Sequence, residues 1–408
     1  MNTTTSSDYK QGAIPPTPPT AARLVLHQLA GLEGGTLTLR LPNGETRVFG
    51  EGDAHAFATL HNWNVFGAAL ASGDIGMAET FLAGDWTTPS LADLMRLLVR
   101  NRQAIERVVY GSWWGRFAYR MRHLFNRNSR SGSRRNIEAH YDLGNNFYRL
   151  WLDDTMNYSS ALFAGDTTLT MSQAQEAKVR RALTAAGVQP GDRVLEIGCG
   201  WGALAEMGAR DFGAHVTGVT LSHEQLAFAN QRLTDAGLSQ RADLRLQDYR
   251  DISDGPYDAV CSIEMVEAVG REYWPSYFGK IASALKPGGF ACIQSIVMDD
   301  ALWPRYIAGT DFIQQYIFPG GCLPCPAEFE RHAREAGLEV VEQFSFGQDY
   351  ALTLKYWRER FMHQQQEVHQ LGFDERFIRL WEFYLAYCEA AFAEGNTDVV
   401  QYTLRKRS

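Results

Sequence analysis

Residues 193–202 read RVLEIGCGWG, and the next eight, ALAEMGAR, continue as a helical pattern. Val194, Leu195 and Ile197 read as a buried parallel strand, because a strand covered on both faces needs no polar alternation. The strand runs into Gly198, Cys199, Gly200, Trp201 and Gly202. Glycines at such a place permit a tight strand-to-helix turn and let a ligand approach the backbone. Glu196 falls at the carboxyl end of the strand, where open α/β sheets bind ligands. A dinucleotide fold carries G-x-G-x-x-G here, with a pyrophosphate over the helix N-terminus. This chain carries E-x-G-x-G-x-G instead. A carboxylate before the turn repels a phosphate and suits a cationic, amine-bearing ligand.

That pattern resembles motif I of the Rossmann-like S-adenosylmethionine methyltransferases. The surrounding sequence alternates strand and helix, with strands read at 193–197, 215–221, 243–247, 257–263, 290–296 and 338–346. Helices follow Gly202, Ser222 and Arg271. VVQYTL (399–404) reads as a last, antiparallel strand. The expected fold is α/β: a Rossmann-like class I methyltransferase with a doubly wound sheet and a smaller N-terminal α+β domain.

A chain of 408 residues with 45% hydrophobic residues is long enough for two units and a large core. The net charge of −8 argues against general nucleic-acid binding. No stretch reads as a signal peptide or a membrane span, so a cytoplasmic location is expected. Cys322 and Cys325 form a lone C-x-x-C with no second ligand pair, which reads as loop cysteines rather than a metal site.

Residues 1–20 are rich in Thr, Ser and Pro and read as a disordered tail. Residues 21–110 read as the small domain: an amphipathic helix, a hairpin around Asn43-Gly44, then three helices. Residues 111–137 differ in character. Arg116, Arg120, Arg122, Arg127, Arg130, Arg134 and Arg135 are interleaved with Trp113, Trp114, Phe117, Tyr119 and Phe125. A basic, aromatic stretch in an acidic protein suits an anionic membrane surface, or else a solvated helix face and linker. Residues 138–408 form the expected catalytic domain.

Ligand contacts in such a sheet come from successive strand ends. The first offers Glu196, Gly198, Gly200, Trp201 and Gly202. The second offers Thr220 and Leu221, with Gln225 one helical turn on. The third offers Asp248 for an adenine amino group and Tyr249 beside the ring. The fourth ends at Ile263, followed by Glu264 and Glu267. Glu267 is the candidate for chemistry, and Glu264 reads more readily as a capped or solvent-facing acid.

With these residues assembled, the chain resembles the cyclopropane-fatty-acyl-phospholipid synthases and their mycolic-acid relatives. The matching stretches are HYDLGNNFYRLWLD (140–153), NYSSALF (157–163), VLEIGCGWG (194–202), GVTLSHEQ (218–225), LQDYRD (246–251), SIEMVEAVG (262–270), YIFPGGCLP (316–324) and FGQDYALTLKYW (346–357). The resemblance implies methyl transfer from S-adenosylmethionine to the cis double bond of an unsaturated phospholipid acyl chain. The resulting cation loses a proton to a bound bicarbonate ion and closes a cyclopropane ring. Carried over by position, the bicarbonate pocket is Ser160, Glu267, Gln294, Ile296 and Tyr350, and Tyr158 and Ser159 touch the methyl donor. Peripheral attachment to the inner face of the cell membrane is implied, and so is a homodimer among the arrangements.

Four positions depart from the family pattern. Ser160 stands for Cys, Gln294 for His, Glu264 for Gly and Ala268 for His. These departures leave open a second product, a methylene- or methyl-branched chain formed when the proton leaves a chain carbon. A small-molecule methyltransferase and a non-catalytic lipid-binding protein remain as further classes.

Overall fold

The computed structural model describes residues 17–102, 105 and 143–407. The expected tail, up to residue 16, and the basic stretch 111–137 lie outside the described residues. The chain divides into two compact units, residues 1–115 and 116–408.

In the first unit, β1 (Thr36–Arg40) and β2 (Thr46–Phe49) form the expected hairpin. Its turn closes through the Leu41 N–H to the Glu45 carbonyl, 2.8 Å, with Gly44 at φ +86°. Two further strands, β3 (His55–Leu60) and β4 (Trp86–Thr87), were not expected. β3 lies parallel to β1, so the sheet order is β2-β1-β3-β4. Leu37, Leu39, Ala56, Ala58 and Leu60 alternate inward, and helix Leu91–Arg100 covers them with Leu91, Leu94 and Met95. Helix Thr20–Leu29 absorbs the last residue assigned to the tail.

The second unit is built on a seven-stranded sheet. Its strands are β5 (Arg193–Ile197), β6 (His215–Thr220), β7 (Ala242–Leu246), β8 (Tyr257–Ile263), β9 (Leu285–Met298), β10 (Leu338–Ser345) and β11 (Thr397–Lys406). The order is β10-β11-β9-β8-β5-β6-β7. Pairs among β5 to β9 are parallel, and β11 is antiparallel to both β9 and β10. The mixed α/β fold with a parallel-dominated, doubly covered sheet is the one expected. β9 begins five residues before the expected start, because residues 285–289 pair on through a register shift near Tyr257–Ala259.

The strand that opens the motif explains both faces. Leu195 and Ile197 join one apolar cluster with Tyr277, Ile281 and Phe329. Val194 joins the other with Val179, Leu183, Leu204 and Leu233. Period-two alternation places Glu196 on the Val194 face, toward helix Met171–Ala185. The chain steps outward from β5 through β6 to β7, then restarts at β8 on the opposite side. That reversal sets a crevice between the carboxyl ends of β5 and β8, the place where such sheets take ligands. Among the described residues no helix is long and apolar enough to cross a membrane.

Candidate active site

The turn after β5 is shaped for a ligand rather than for packing alone. Gly198 sits at φ +84°, and a Cβ there would lie 2.3 Å from Met265 Cγ. Gly200 sits at φ +50°, and a Cβ there would meet nothing within 4 Å. One glycine is therefore needed by the fold, and the other opens onto free space. Gly202 caps helix Ala203–Arg210. Trp201 is pinned beside the turn by its Nε1–H to Asn145 Oδ1, 2.7 Å, with its ring 5.1 Å from Tyr148.

Glu196 is 4% exposed, and its Oε2 has no hydrogen-bond partner. Burial pushes its carboxyl up to about 8, against the pull of the Lys178 charge and the Ala205 N–H. A buried carboxylate with a vacant oxygen beside an open glycine turn fits a cationic ligand such as a methyl-donor sulfonium. At the end of β6, Thr220 Oγ1 donates to Gln225 Oε1, 2.9 Å, and the Gln225 N–H is capped by Ser222 Oγ, 3.2 Å. Both side chains are buried, with half-buried Leu221 between them. Ile263 ends β8, half-buried and facing the same crevice end.

Two expected adenine contacts sit differently. Both oxygens of Asp248 are held by Arg250, at 2.8 and 2.5 Å. Tyr249 lies in the core with its ring edge-on to Tyr277, centroids 5.6 Å apart. The short 3-10 turn Tyr249–Asp251 rotates that side chain inward, so it is a core residue rather than an exposed stacking platform.

The segment before helix Met171–Ala185 supplies the opposite wall. Tyr158 sits among Tyr148, Trp151 and Trp357, with centroids at 5.6, 5.3 and 5.5 Å, and shares a hydrogen bond with Tyr384 OH at 2.7 Å. Ser159 Oγ receives Lys178 Nζ at 2.5 Å. Lys178 is fully buried, and desolvation lowers its ammonium to about 8.

Ser160, Gln294 and Tyr350 do converge, but on Glu264. The Ser160 N–H donates to Glu264 Oε1 at 3.0 Å, Gln294 Nε2 to the same oxygen at 2.7 Å, and Tyr350 OH to Oε2 at 2.7 Å. The Ser160 hydroxyl turns away, to the Ala161 carbonyl at 2.9 Å. Glu264 holds φ +52°, a left-handed backbone that a side chain with a Cβ pays for by about 1 kcal/mol. Burial and the Glu264 charge push the Tyr350 hydroxyl far up, so it stays a donor. The amides have a fixed sense. Arg181, which only donates, gives to Gln401 Oε1 at 2.7 Å. Gln401 Nε2 gives to Gln294 Oε1 at 3.0 Å, which leaves the Gln294 NH2 for Glu264.

Glu267 stands apart from that cluster. Its Oε1 accepts from the Ile296 N–H, and its buried Oε2 has no partner. Burial, then the Glu264 charge, pushes its carboxyl up to about 8. Glu264 is raised as well by burial, but three donors oppose that. The two environments differ: Glu264 is surrounded by three donors that favour its charged form, while Glu267 has one donor and a carboxyl raised to about 8. The set implied for bicarbonate does not fit a bicarbonate ion, because three of its members already hold a carboxylate of the chain. Lys178 and Gln401 are the residues that sequence reasoning missed, and Glu264, expected as a capped or solvent-facing acid, instead gathers three donors. The one signal was an acid at 264 where the resembling family has glycine.

The fold and this crevice define a class I S-adenosylmethionine-dependent methyltransferase. The chain matches the family described as mycolic acid cyclopropane synthetase over residues 128–402, and it belongs to that family. It is 38% identical over 394 residues to a tuberculostearic acid methyltransferase of Mycobacterium tuberculosis, covering 94% of this chain and 91% of that one. It is 32% identical over 350 residues to the cyclopropane-fatty-acyl-phospholipid synthase of Escherichia coli, covering 86% and 88%. A solved mycolic acid cyclopropane synthase complexed with S-adenosylhomocysteine (SAH) and CTAB superposes with TM-score 0.63 at 30% identity, over 67% of this chain and 98% of that one.

Proposed function

We propose that the protein methylates the cis double bond of an unsaturated phospholipid acyl chain, and that proton loss from the delivered carbon closes a cyclopropane ring. The observation that carries the reading is a carboxylate pair, half-buried Glu264 and buried Glu267, at the sheet crevice beside the methyl-donor turn, with Tyr350 bonded to Glu264 and its ring edge-on to Trp357. When bound, S-adenosylmethionine supplies an electrophilic methyl on a sulfonium centre. Glu196 and the open side of Gly200 hold that cationic ligand. The aromatic wall excludes water and faces a transient cation with ring π-density. The Glu264 carboxylate stabilises the same charge in a dry setting.

A second reading is favoured by one observation: two relatives, that of M. tuberculosis and one of Pseudomonas putida, are named as methyltransferases rather than cyclopropane synthases. Loss of a proton from a neighbouring chain carbon would give a methylene-branched chain from the same cation. Gas chromatography with mass spectrometry of lipids from an expressing host separates the two, and a host containing only branched product would remove the ring-closing reading. A small soluble substrate is disfavoured by the N-terminal unit and by the arginines of 116–135, which it does not require. Those arginines support work at an anionic bilayer on its cytoplasmic side.

A further inference from the structure

We propose that Glu264 is the base of this enzyme, a carboxylate built into the chain at the place of a bound anion, so that the reaction runs without bicarbonate. The inference rests on the proposed alkene methylation and names the group that completes it.

Three observations converge. The donors that would hold an external anion, Ser160 N–H, Gln294 Nε2 and Tyr350 OH, are all spent on Glu264 at 2.7 to 3.0 Å. Their sense is fixed by the Arg181–Gln401–Gln294 chain, whose amides cannot turn round without facing a donor with a donor. An added anion would place a further negative charge beside Glu264 and Glu267. The buried cation near them, Lys178, is already bonded to Ser159 and Asn157.

Geometry also leaves Glu264 able to act. Oε1 takes two donors and Oε2 takes one among the described residues, so one lone pair of Oε2 remains free. The residue is half-buried rather than sealed in the core. Its left-handed backbone, φ +52° on a residue with a Cβ, is the kind of local strain that clusters at functional sites.

The step balances as follows. The alkene π pair forms the bond to the transferred methyl, the sulfur–carbon bond breaks with its electrons on sulfur, and a cation is left on the adjacent chain carbon. A proton of the new methyl passes to Glu264 Oε2, and its C–H pair closes the ring. If the proton leaves a chain carbon instead, the pair becomes a double bond. The neutral Glu264 carboxyl returns the proton to solvent as product leaves.

The test uses the full chain, methyl-labelled S-adenosylmethionine and vesicles of monounsaturated phosphatidylglycerol. In carbon-dioxide-depleted buffer the wild-type rate should stay within about twofold of its rate with added bicarbonate. Glu264→Gln should lower turnover by about 100-fold or more. Its S-adenosylmethionine affinity by calorimetry should stay near wild type, which reports an intact fold. Glu264→Gly suits the left-handed backbone and frees the three donors. Its residual activity should rise with added bicarbonate, and 13C-bicarbonate should show saturable binding by NMR in this variant and not in the wild type. A wild-type rate that collapses on depletion and returns with bicarbonate would overturn the base assignment and leave the methylation intact, as would a fully active Glu264→Gln. A wild type that labels no lipid under either condition would overturn the assignment together with the proposed function.

Discussion

Two buried acids, Glu196 and Glu267, each held up to about 8, tie the site to pH. An unfolded glutamate ionises near 4.3, so the unfolded chain gives up these protons first as pH rises. The stability they contribute is full below that value and is lost as pH climbs toward 8, by an amount on the order of a few kcal/mol. Lys178, lowered to about 8, stays protonated in both states across most of that window. We expect Glu267→Gln to flatten the fall in unfolding free energy between pH 5 and pH 7.5, measured by urea titration. A slope identical to wild type would contradict the buried-acid reading. Cation binding at Glu196 favours its charged form, so S-adenosylmethionine binding should release protons. Calorimetry in buffers of different ionisation enthalpy measures this, and Glu196→Gln should abolish it. The glycine turn separates fold from ligand in the same way. Gly198→Ala meets Met265 and should lower stability by about 1–3 kcal/mol. Gly200→Leu projects into open space, so it should cost cofactor affinity with a small change in melting temperature.

At the level of elements, the wall segment is fastened to one helix. Asp349 Oδ2, on helix Gly347–His363, accepts the backbone N–H of Phe163 at 2.8 Å and of Ala164 at 2.9 Å. Thr353 Oγ1, one turn on, accepts the Ala161 N–H at 3.1 Å. Asp349→Ala would strand two N–H groups, at about 1–3 kcal/mol each, and loosen the stretch carrying Tyr158 to Ser160. Its melting temperature should drop by several degrees, while Asp349→Asn, which keeps an acceptor oxygen, should recover most of the loss. This helix was not legible in sequence: its first residues matched a motif, and its mixed faces pack against helix Glu375–Ala393, β11 and Asn145–Trp151. The strands β5, β6 and β8 were legible, because burial on both faces leaves an apolar run that ends at a turn. The strand-end positions of most candidate ligand residues were legible for the same reason. Tyr249 was not, because a single 3-10 turn decides whether a ring faces crevice or core. Glu264 was passed over because spacing shows two acids three residues apart but not which carboxylate meets the donors. Buried Lys178 carried no signal, sitting in a helix whose Glu176 and Arg180 face water.

For the molecule as a whole, the acidic chain carries its concentrated positive charge at Arg116 to Arg135. Attraction to an anionic bilayer should be strong at low ionic strength and fade as the Debye length shrinks. Co-sedimentation with phosphatidylglycerol vesicles should fall steeply between about 50 and 500 mM salt. Phosphatidylcholine vesicles should capture little protein at any salt. Equal binding to both lipids would show that the arginines do not guide the chain to its substrate. The proposed reaction itself is tested most directly by one incubation: the full chain, methyl-labelled S-adenosylmethionine and vesicles of monounsaturated phosphatidylglycerol, followed by mass spectrometry of the released fatty acids. The proposed reaction places the labelled carbon on one of the two former double-bond carbons. Label in the headgroup, or acyl chains left unlabelled while donor is consumed, would contradict it.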